Sequence, residues 1–143
     1  MPDNAKVVQL FFDKLSMGDF DGACDLMTPG SVHHLPGLGS ERCGTSQWRR
    51  LEDSVRDAFP DRAFRVHQIV SDGDRTAARV TWSATHKNTF ANTPPTGKRV
   101  EVNGFDIFRI SDGKIAEQWS EQDILGLHKQ IGAAPGTSSS WPI

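Results

Sequence analysis

Asp106 is a carboxylate on the apolar face of a strand. In the stretch 100–110, Val100, Val102, Asp106, Phe108 and Ile110 recur at period two, and Asp106 is the only charge among them. Glu101, Asn103 and Arg109 take the other side. An ionised carboxylate on a buried face is costly unless it is paired, hydrogen-bonded or protonated. Such a group either satisfies a buried neighbour or moves protons. Three further groups have the right types for proton transfer. Asp123 stands at the start of the last helical segment, where Asp is also a preferred N-cap. His86 ends a strand in which Ala78, Val80, Trp82 and Ala84 share its face, and that more apolar face is placed inward. His34 shares a strand face with Val32 and reads as a satisfied core histidine or as a functional one; His33 is then expected to be exposed.

These groups must be held by particular elements. Asp3 or Asn4 caps a helix running to about Leu15, with Val7, Val8, Leu10, Phe11, Phe12 and Leu15 as its stripe and Gly18 as its stop. A short helix from Asp19 or Asp21 ends at Pro29 and Gly30. Residues 31–35 read as a short strand before the Gly-rich turn 36–39. Thr45 or Ser46 caps a third helix with Trp48, Leu51, Val55 and Phe59 buried, closed by Pro60. The period then changes to two. Strands are predicted at 63–71, 75–86, 98–110 and 114–121, with Asp–Gly turns at 72–73 and 112–113. On the last strand Ile115, Glu117, Trp119 and Glu121 share one face and Lys114, Ala116, Gln118 and Ser120 the other; periodicity does not say which is concave. Loop 88–97 is polar and Pro-rich, 123–131 is a short helix, and 133–143 is expected to be a flexible tail after a single domain at 1–132. Helices followed by an antiparallel meander argue an α+β fold, a curved sheet bent around a cavity.

The chain has 143 residues, enough for one core. With 36% hydrophobic and 24% charged residues it has the composition of a soluble globule. The net charge of −2, with no basic run longer than a pair, speaks against nucleic acid. No apolar run approaches the roughly 18 residues of a membrane span, and the N-terminus lacks signal-peptide regions. A cytoplasmic location without membrane contact is expected. Cys24 and Cys43 form no CxxC and read as structural thiols. HxxxH and HExxH are missing, and so are GxGxxG, a Walker loop and GxSxG, so neither a metal nor a cofactor is expected. An apolar pocket with a few carboxylates and imidazoles fits cofactor-free proton transfer on an apolar substrate.

Several segments together resemble the SnoaL-like polyketide cyclase family, of the wider superfamily of ketosteroid isomerase and nuclear transport factor two. They are GDFDG at 18–22, HLPG at 34–37, FPD at 59–61, FDIFRI at 105–110, DGKI at 112–115 with Trp119, and DILGL at 123–127 through QIG at 130–132. The resemblance implies a cone-shaped barrel of a strongly curved, mixed but mainly antiparallel sheet wrapped by about three helices, and a homodimer. It implies that Asp123 is the general acid/base of an intramolecular aldol closure, with His86 and His34 assisting. Asp106 matches the aspartate of ketosteroid isomerase that is kept protonated in an apolar site to donate to an oxyanion. Two departures set steroid isomerisation by that route aside: the chain has no Tyr, and His34, Leu35 and Pro36 stand where the isomerase has its base.

The implied function is a cofactor-independent cyclase of polyketide antibiotic biosynthesis acting on an apolar substrate. Trp82, Trp119, Phe105, Phe108, Phe59, Trp48 and Glu117 are the expected substrate-binding residues, and an open pocket on which Asp106 and Asp123 converge is the expected geometry. Ring closure by cycloaddition would lean less on the carboxylates. The alternatives are an epoxide hydrolase or isomerase using Asp106 with Arg79, a hydroxylase-type enzyme, and a non-catalytic ligand-binding dimerisation module.

Overall fold

Asp3 caps α1 (Asn4–Met17) by accepting from the backbone N–H groups of Ala5 and Lys6. Gly18 ends the helix in the left-handed region (φ 71°), and the N–H groups of Gly18 and Asp19 close onto the last carbonyls. Val8, Phe11, Phe12 and Leu15 form its buried stripe. The structure, a computed structural model, describes residues 3–132, so the expected tail at 133–143 lies outside the described residues. After α1 come α2 (Phe20–Cys24), β1 (Met27–Leu35), a 3-10 turn (Pro36–Leu38), β2 (Ser40–Gly44) and α3 (Thr45–Ala58). The rest is β3 (Ala63–Asp72), β4 (Arg75–Thr85), β5 (Arg99–Ser111), β6 (Lys114–Gln122) and α4 (Ile124–Gln130).

The six strands form one sheet in the order β2-β1-β6-β5-β4-β3. All pairs are antiparallel except β1 with β6, so the sheet is mixed as expected. It is not closed, β2 and β3 being its edges, and the mixed sheet with its helices agrees with the expected α+β cone. The two hairpin turns use their glycines differently. Asp112 and Gly113 are both at positive φ (51° and 76°), whereas only Gly73 is positive (60°) in the turn Gly73–Asp74 between paired Asp72 and Arg75. The first is the mirror-image turn needing two positive φ values; the second needs Gly only at its first central position.

One face of the sheet is the core. Thr76, Ala78, Val80, Trp82 and Ala84 of β4 and Val100, Val102, Asp106, Phe108 and Ile110 of β5 are all buried. α1 covers this face, with Phe11 against Phe108 and Trp48 and Phe12 against Phe108 and Phe64. β2 was not expected. Its sequence, SERCG, carries no alternation, and it is a strand because it pairs along β1. On β6, a bulge between Ile115 and Glu117 resets the phase, so Ile115, Gln118 and Ser120 all face inward while Glu117 and Trp119 face out. On β1 the inward set is Ser31, His33 and Leu35. His33 is therefore buried and His34 lies on the outer face, opposite to expectation; Leu35, not Val32, marks the core side.

Phe11 sits at the junction of α1, α3 and β5. Phe11→Ala should destabilise the protein by about 3–5 kcal/mol, read as a lower urea midpoint with an unchanged slope.

Candidate active site

Asp106 is 3% exposed, opposite Ala78 on β4 and Ser120 on β6. Gln118 Nε2 donates to its Oδ2 at 2.8 Å, and the Ser120 hydroxyl beside it also favours the carboxylate. Burial pushes its pKa up to about 7; the two hydrogen bonds oppose that rise, and the nearby charge of Glu52 adds to it. At neutral pH such a carboxyl can give or take a proton. Glu52 itself is buried on α3, four residues after Trp48, in an ion pair with buried Arg62. The Arg62 guanidinium lies over Phe64 (4.9 Å) and Trp82 (5.4 Å). Trp82 Nε1 donates to Gln122 Oε1 at 2.9 Å, and Gln122 Nε2 reaches Ser120 Oγ at 3.4 Å.

A cavity of about 250 Å3 opens beside α4, lined by Leu38, Leu51, Val55, Phe90 and Ile124 with the polar Ser54, Thr89 and His128. Beneath it a crevice runs between Leu35, Leu38 and Ile124 to Ser120 and Gln122. Leu38 and Ile124 border both, and the crevice is too narrow to admit a water molecule. Gly37 is required there, since a Cβ would meet the Ile124 side chain at 2.9 Å. The crevice thus ends at Ser120, the residue opposite Asp106 on β6.

The expected residues divide three ways. Trp48, Phe59, Trp82 and Phe108 point inward with Asp106, fully buried as packed core rather than as walls of the mouth cavity. His86 is also buried. Its Nδ1 accepts from the Thr96 N–H at 3.2 Å, which places its hydrogen on Nε2, a buried atom without a partner among the described residues. Phe105, Trp119, Glu117 and His34 lie on the outer face instead. Phe105 is 63% exposed because it neighbours Asp106, and strand alternation forbids both from pointing inward. His34 Nε2 lies 2.7 Å from Glu117 Oε2, and its ring stacks on Trp119 at 5.4 Å. The bond from His34, aided by Arg109, holds the Glu117 carboxyl below its ordinary range. Asp123 is an exposed N-cap of α4, with Oδ1 accepting from the Gly126 N–H at 2.8 Å. Neither Asp123 nor Asp106 lines the mouth cavity or the crevice; Asp106 borders instead the groove at Val70, Phe105 and Ile107. Arg79 is on the outer face and cannot partner Asp106.

Sequence reasoning missed Ser31, His33, Gln118, Glu52 and Arg62. The position of Glu52 was visible: it falls between Trp48 and Val55 on the helix stripe, the same anomaly as Asp106. Among the described residues no group of three His, Cys, Asp or Glu side chains is arranged to hold a metal ion. No described helix is long and apolar enough to cross a membrane.

The family model of SnoaL-like polyketide cyclases matches residues 5–131, and the chain belongs to that family. Against curated proteins it has no match. Solved structures agree on the fold. AclR of Streptomyces galilaeus, described as a candidate hydroxylase, is 26% identical with a TM-score of 0.84, over 92% of this chain and 97% of AclR. IdmH of Streptomyces antibioticus, described as a candidate polyketide cyclase, is 28% identical with a TM-score of 0.83, over 91% of this chain and 99% of IdmH. TsrD of Streptomyces laurentii is 29% identical with a TM-score of 0.78, over 90% of this chain and 94% of TsrD.

The raised pKa of Asp106 has a thermodynamic signature. An unfolded Asp ionises near pH 4, so between about pH 4 and 7 the folded state binds the extra proton. Asp106 therefore lowers stability as pH rises through that window, by on the order of a few kcal/mol. Asp106→Asn should be more stable than wild type at pH 8, and the gap should close by pH 4–5, measured by urea unfolding across pH. A gap independent of pH would show that Asp106 ionises normally.

Proposed function

We propose that the protein is a cofactor-independent cyclase that closes a ring in an apolar, polyketide-type substrate. The observation that carries this reading is Asp106: a buried carboxyl with its pKa pushed up to about 7 and held by Gln118, in a chain of the polyketide cyclase family. A polyketide has acidic C–H groups between carbonyls. In this reading the Asp106 carboxylate takes such a proton, the enolate carbon bonds to a second carbonyl carbon, and that carbonyl becomes an alkoxide. Asp106 then returns the proton to the alkoxide, so the ring-closed product has the substrate's mass, or one water less after elimination. The Gln118 amide and Ser120 hydroxyl hold the carboxyl in place. Leu38 and Ile124 must part for the substrate to reach it.

The family resemblance assigns the same task to Asp123 at the rim, and the geometry favours Asp106. With candidate linear polyketides, Asp106→Asn should lower kcat/KM by about 100-fold or more, while Asp123→Asn should keep most of it. The reverse pattern would return the role to Asp123. The description of AclR favours a hydroxylase as second reading, for which the product gains one oxygen atom. The shut crevice favours a ligand-binding role, for which the wild type binds without turnover.

We also infer a homodimer through the outer sheet face, in service of a natural-product pathway enzyme. Register places Val70, Ala77, Ile107 and Trp119 in one row, beside a row of Gln68, Arg79, Phe105 and Glu121. Val70, Phe105 and Ile107 are exposed around a groove of about 270 Å3. Arg79 and Glu121 form no ion pair among the described residues. A two-fold axis along β5 sets Phe105 on Phe105, Ile107 on Ile107, and each Arg79 on the other copy's Glu121. Light scattering should give a dimer for wild type, a lower mass for Arg79→Glu, and a dimer again when Glu121→Arg is added. Equal masses for all three would rule that axis out.

A further inference from the structure

The polar chain that ends on Asp106 continues through His33, Ser31 and Thr45, and its geometry fixes a direction. Gln118 gives its amide nitrogen to Asp106, and its amide oxygen lies 2.7 Å from His33 Nδ1. His33 Nε2 lies 3.0 Å from Ser31 Oγ, which lies 2.7 Å from Thr45 Oγ1. Burial, the largest effect on His33, holds the imidazole below its ordinary pKa, so it is neutral near pH 7. A neutral imidazole has one donor and one acceptor. The amide oxygen can only accept, so the hydrogen is on Nδ1. Nε2 then accepts from the Ser31 hydroxyl. That uses the only hydrogen on Ser31 Oγ, so Thr45 donates to Ser31. Every donor points from Thr45, at the half-buried start of α3, towards Asp106.

One other arrangement satisfies every atom. If the Gln118 amide is turned over, its nitrogen meets His33 Nδ1, the hydrogen moves to Nε2, and Ser31 donates to Thr45. The amide oxygen then faces Asp106, which must be protonated to fill the contact. Mixed arrangements set two donors or two acceptors against each other in a buried site, which costs a hydrogen bond each time. The His33 tautomer and the Gln118 orientation therefore change together or not at all.

We propose that His33, as its Nδ1–H tautomer, is a positioning residue that holds the Gln118 amide with its nitrogen on Asp106. This rests on the reading of Asp106 as the reacting carboxyl. Trp48 stacks on the His33 ring at 5.4 Å and 29° and holds its plane. The charge facing Asp106 is that of Glu52 on α3, balanced by Arg62; Ala78 on β4 brings none. With a like charge nearby, the donors from Gln118 and Ser120 are what favours the carboxylate, so losing the Gln118 donor raises the Asp106 midpoint.

Two-bond 15N–1H spectra of the wild-type protein, free of substrate at pH 8, read the tautomer directly. The expected pattern has a pyrrole-type Nδ1 and a pyridine-type Nε2 at His33. An Nε2–H tautomer or an imidazolium would overturn the proposal. Carboxyl 13C titration gives the second readout. In His33→Leu the Asp106 midpoint should rise by about one pH unit or more, and in His33→Gln, whose amide can donate to Gln118, it should fall back to within about half a unit of wild type. An unchanged midpoint in His33→Leu sinks the proposal. If that variant does not fold, the wild-type tautomer and the His33→Gln midpoint decide. Both readouts use the free protein, so they can fail while the turnover test of Asp106 succeeds, and the reverse.

Discussion

The interior of this sheet is built around one constraint: a carboxyl on the core face must be given donors where no water reaches. β5 and its partner β4 cannot supply them, because Asp106 faces Ala78 across that pair. The donors come from β6, and only because the bulge at Ile115–Glu117 turns Gln118 and Ser120 inward. Once Gln118 is inside, its own amide oxygen needs a partner, and β1 must run parallel beside β6 to bring His33 to it. His33 in turn needs Ser31, and Ser31 needs Thr45 at the head of α3. A single buried acid thus ties β5, β6, β1 and α3 into one hydrogen-bonded unit, and each link leaves an unpaired buried group if removed.

The covered face is mainly apolar yet holds several polar groups, and the outer face is mainly polar yet exposes several apolar ones. A half-covered antiparallel sheet normally hides its apolar residues and wets its polar ones. Here the covered face carries Asp106, Gln118, Ser120, His33 and the Glu52–Arg62 pair among its aromatics, while Val70, Phe105 and Ile107 stand exposed. A buried ion pair and a buried carboxyl are poor sources of stability. What each does contribute is a partner for another buried polar group, Gln118 for Asp106 and Arg62 for Glu52. The exposed row on the outer face is the converse case, apolar side chains left in water by a face that is otherwise polar.

Much of this was legible in the residues. The strands β3 to β6, both hairpins, α1 and α3 follow from period and turn chemistry, and Asp106 was visible as the one charge on its face. What failed did so for identifiable reasons. β6 could not be oriented because a bulge changes phase without leaving a mark in composition. On β1, two residues each of His and apolar type made the alternation ambiguous, and the choice of Val32 over Leu35 inverted the strand. Phe105 was placed inward against its own neighbour's alternation, by its aromatic character alone. Gln118 carries no charge and no motif, so nothing short of the register of three strands could have marked it.

The walls of the cavity beside α4 are held to different degrees. α4 is held at both ends: the Asp123 N–H donates to the Asn103 carbonyl at 2.9 Å, and Gln130 satisfies both backbone groups of Glu101 at 2.8 and 2.7 Å. There β6 has ended, so α4 covers the open edge of β5 in its place. Shifting Ile124 with its helix would expose that edge. The opposite wall is the 3-10 turn carrying Leu38, between Leu35 and Gly39, with no side-chain cap and few buried groups. Loop 88–97, which brings Phe90 over the mouth, holds Ala91 and Asn92 at positive φ (46° and 69°), a conformation that non-glycine residues resist. Two backbone hydrogen bonds between Phe90 and Thr93 close that turn, and the Phe90 ring packs on Phe59 and His128, so the loop, the 3-10 turn and α4 jointly wall the cavity.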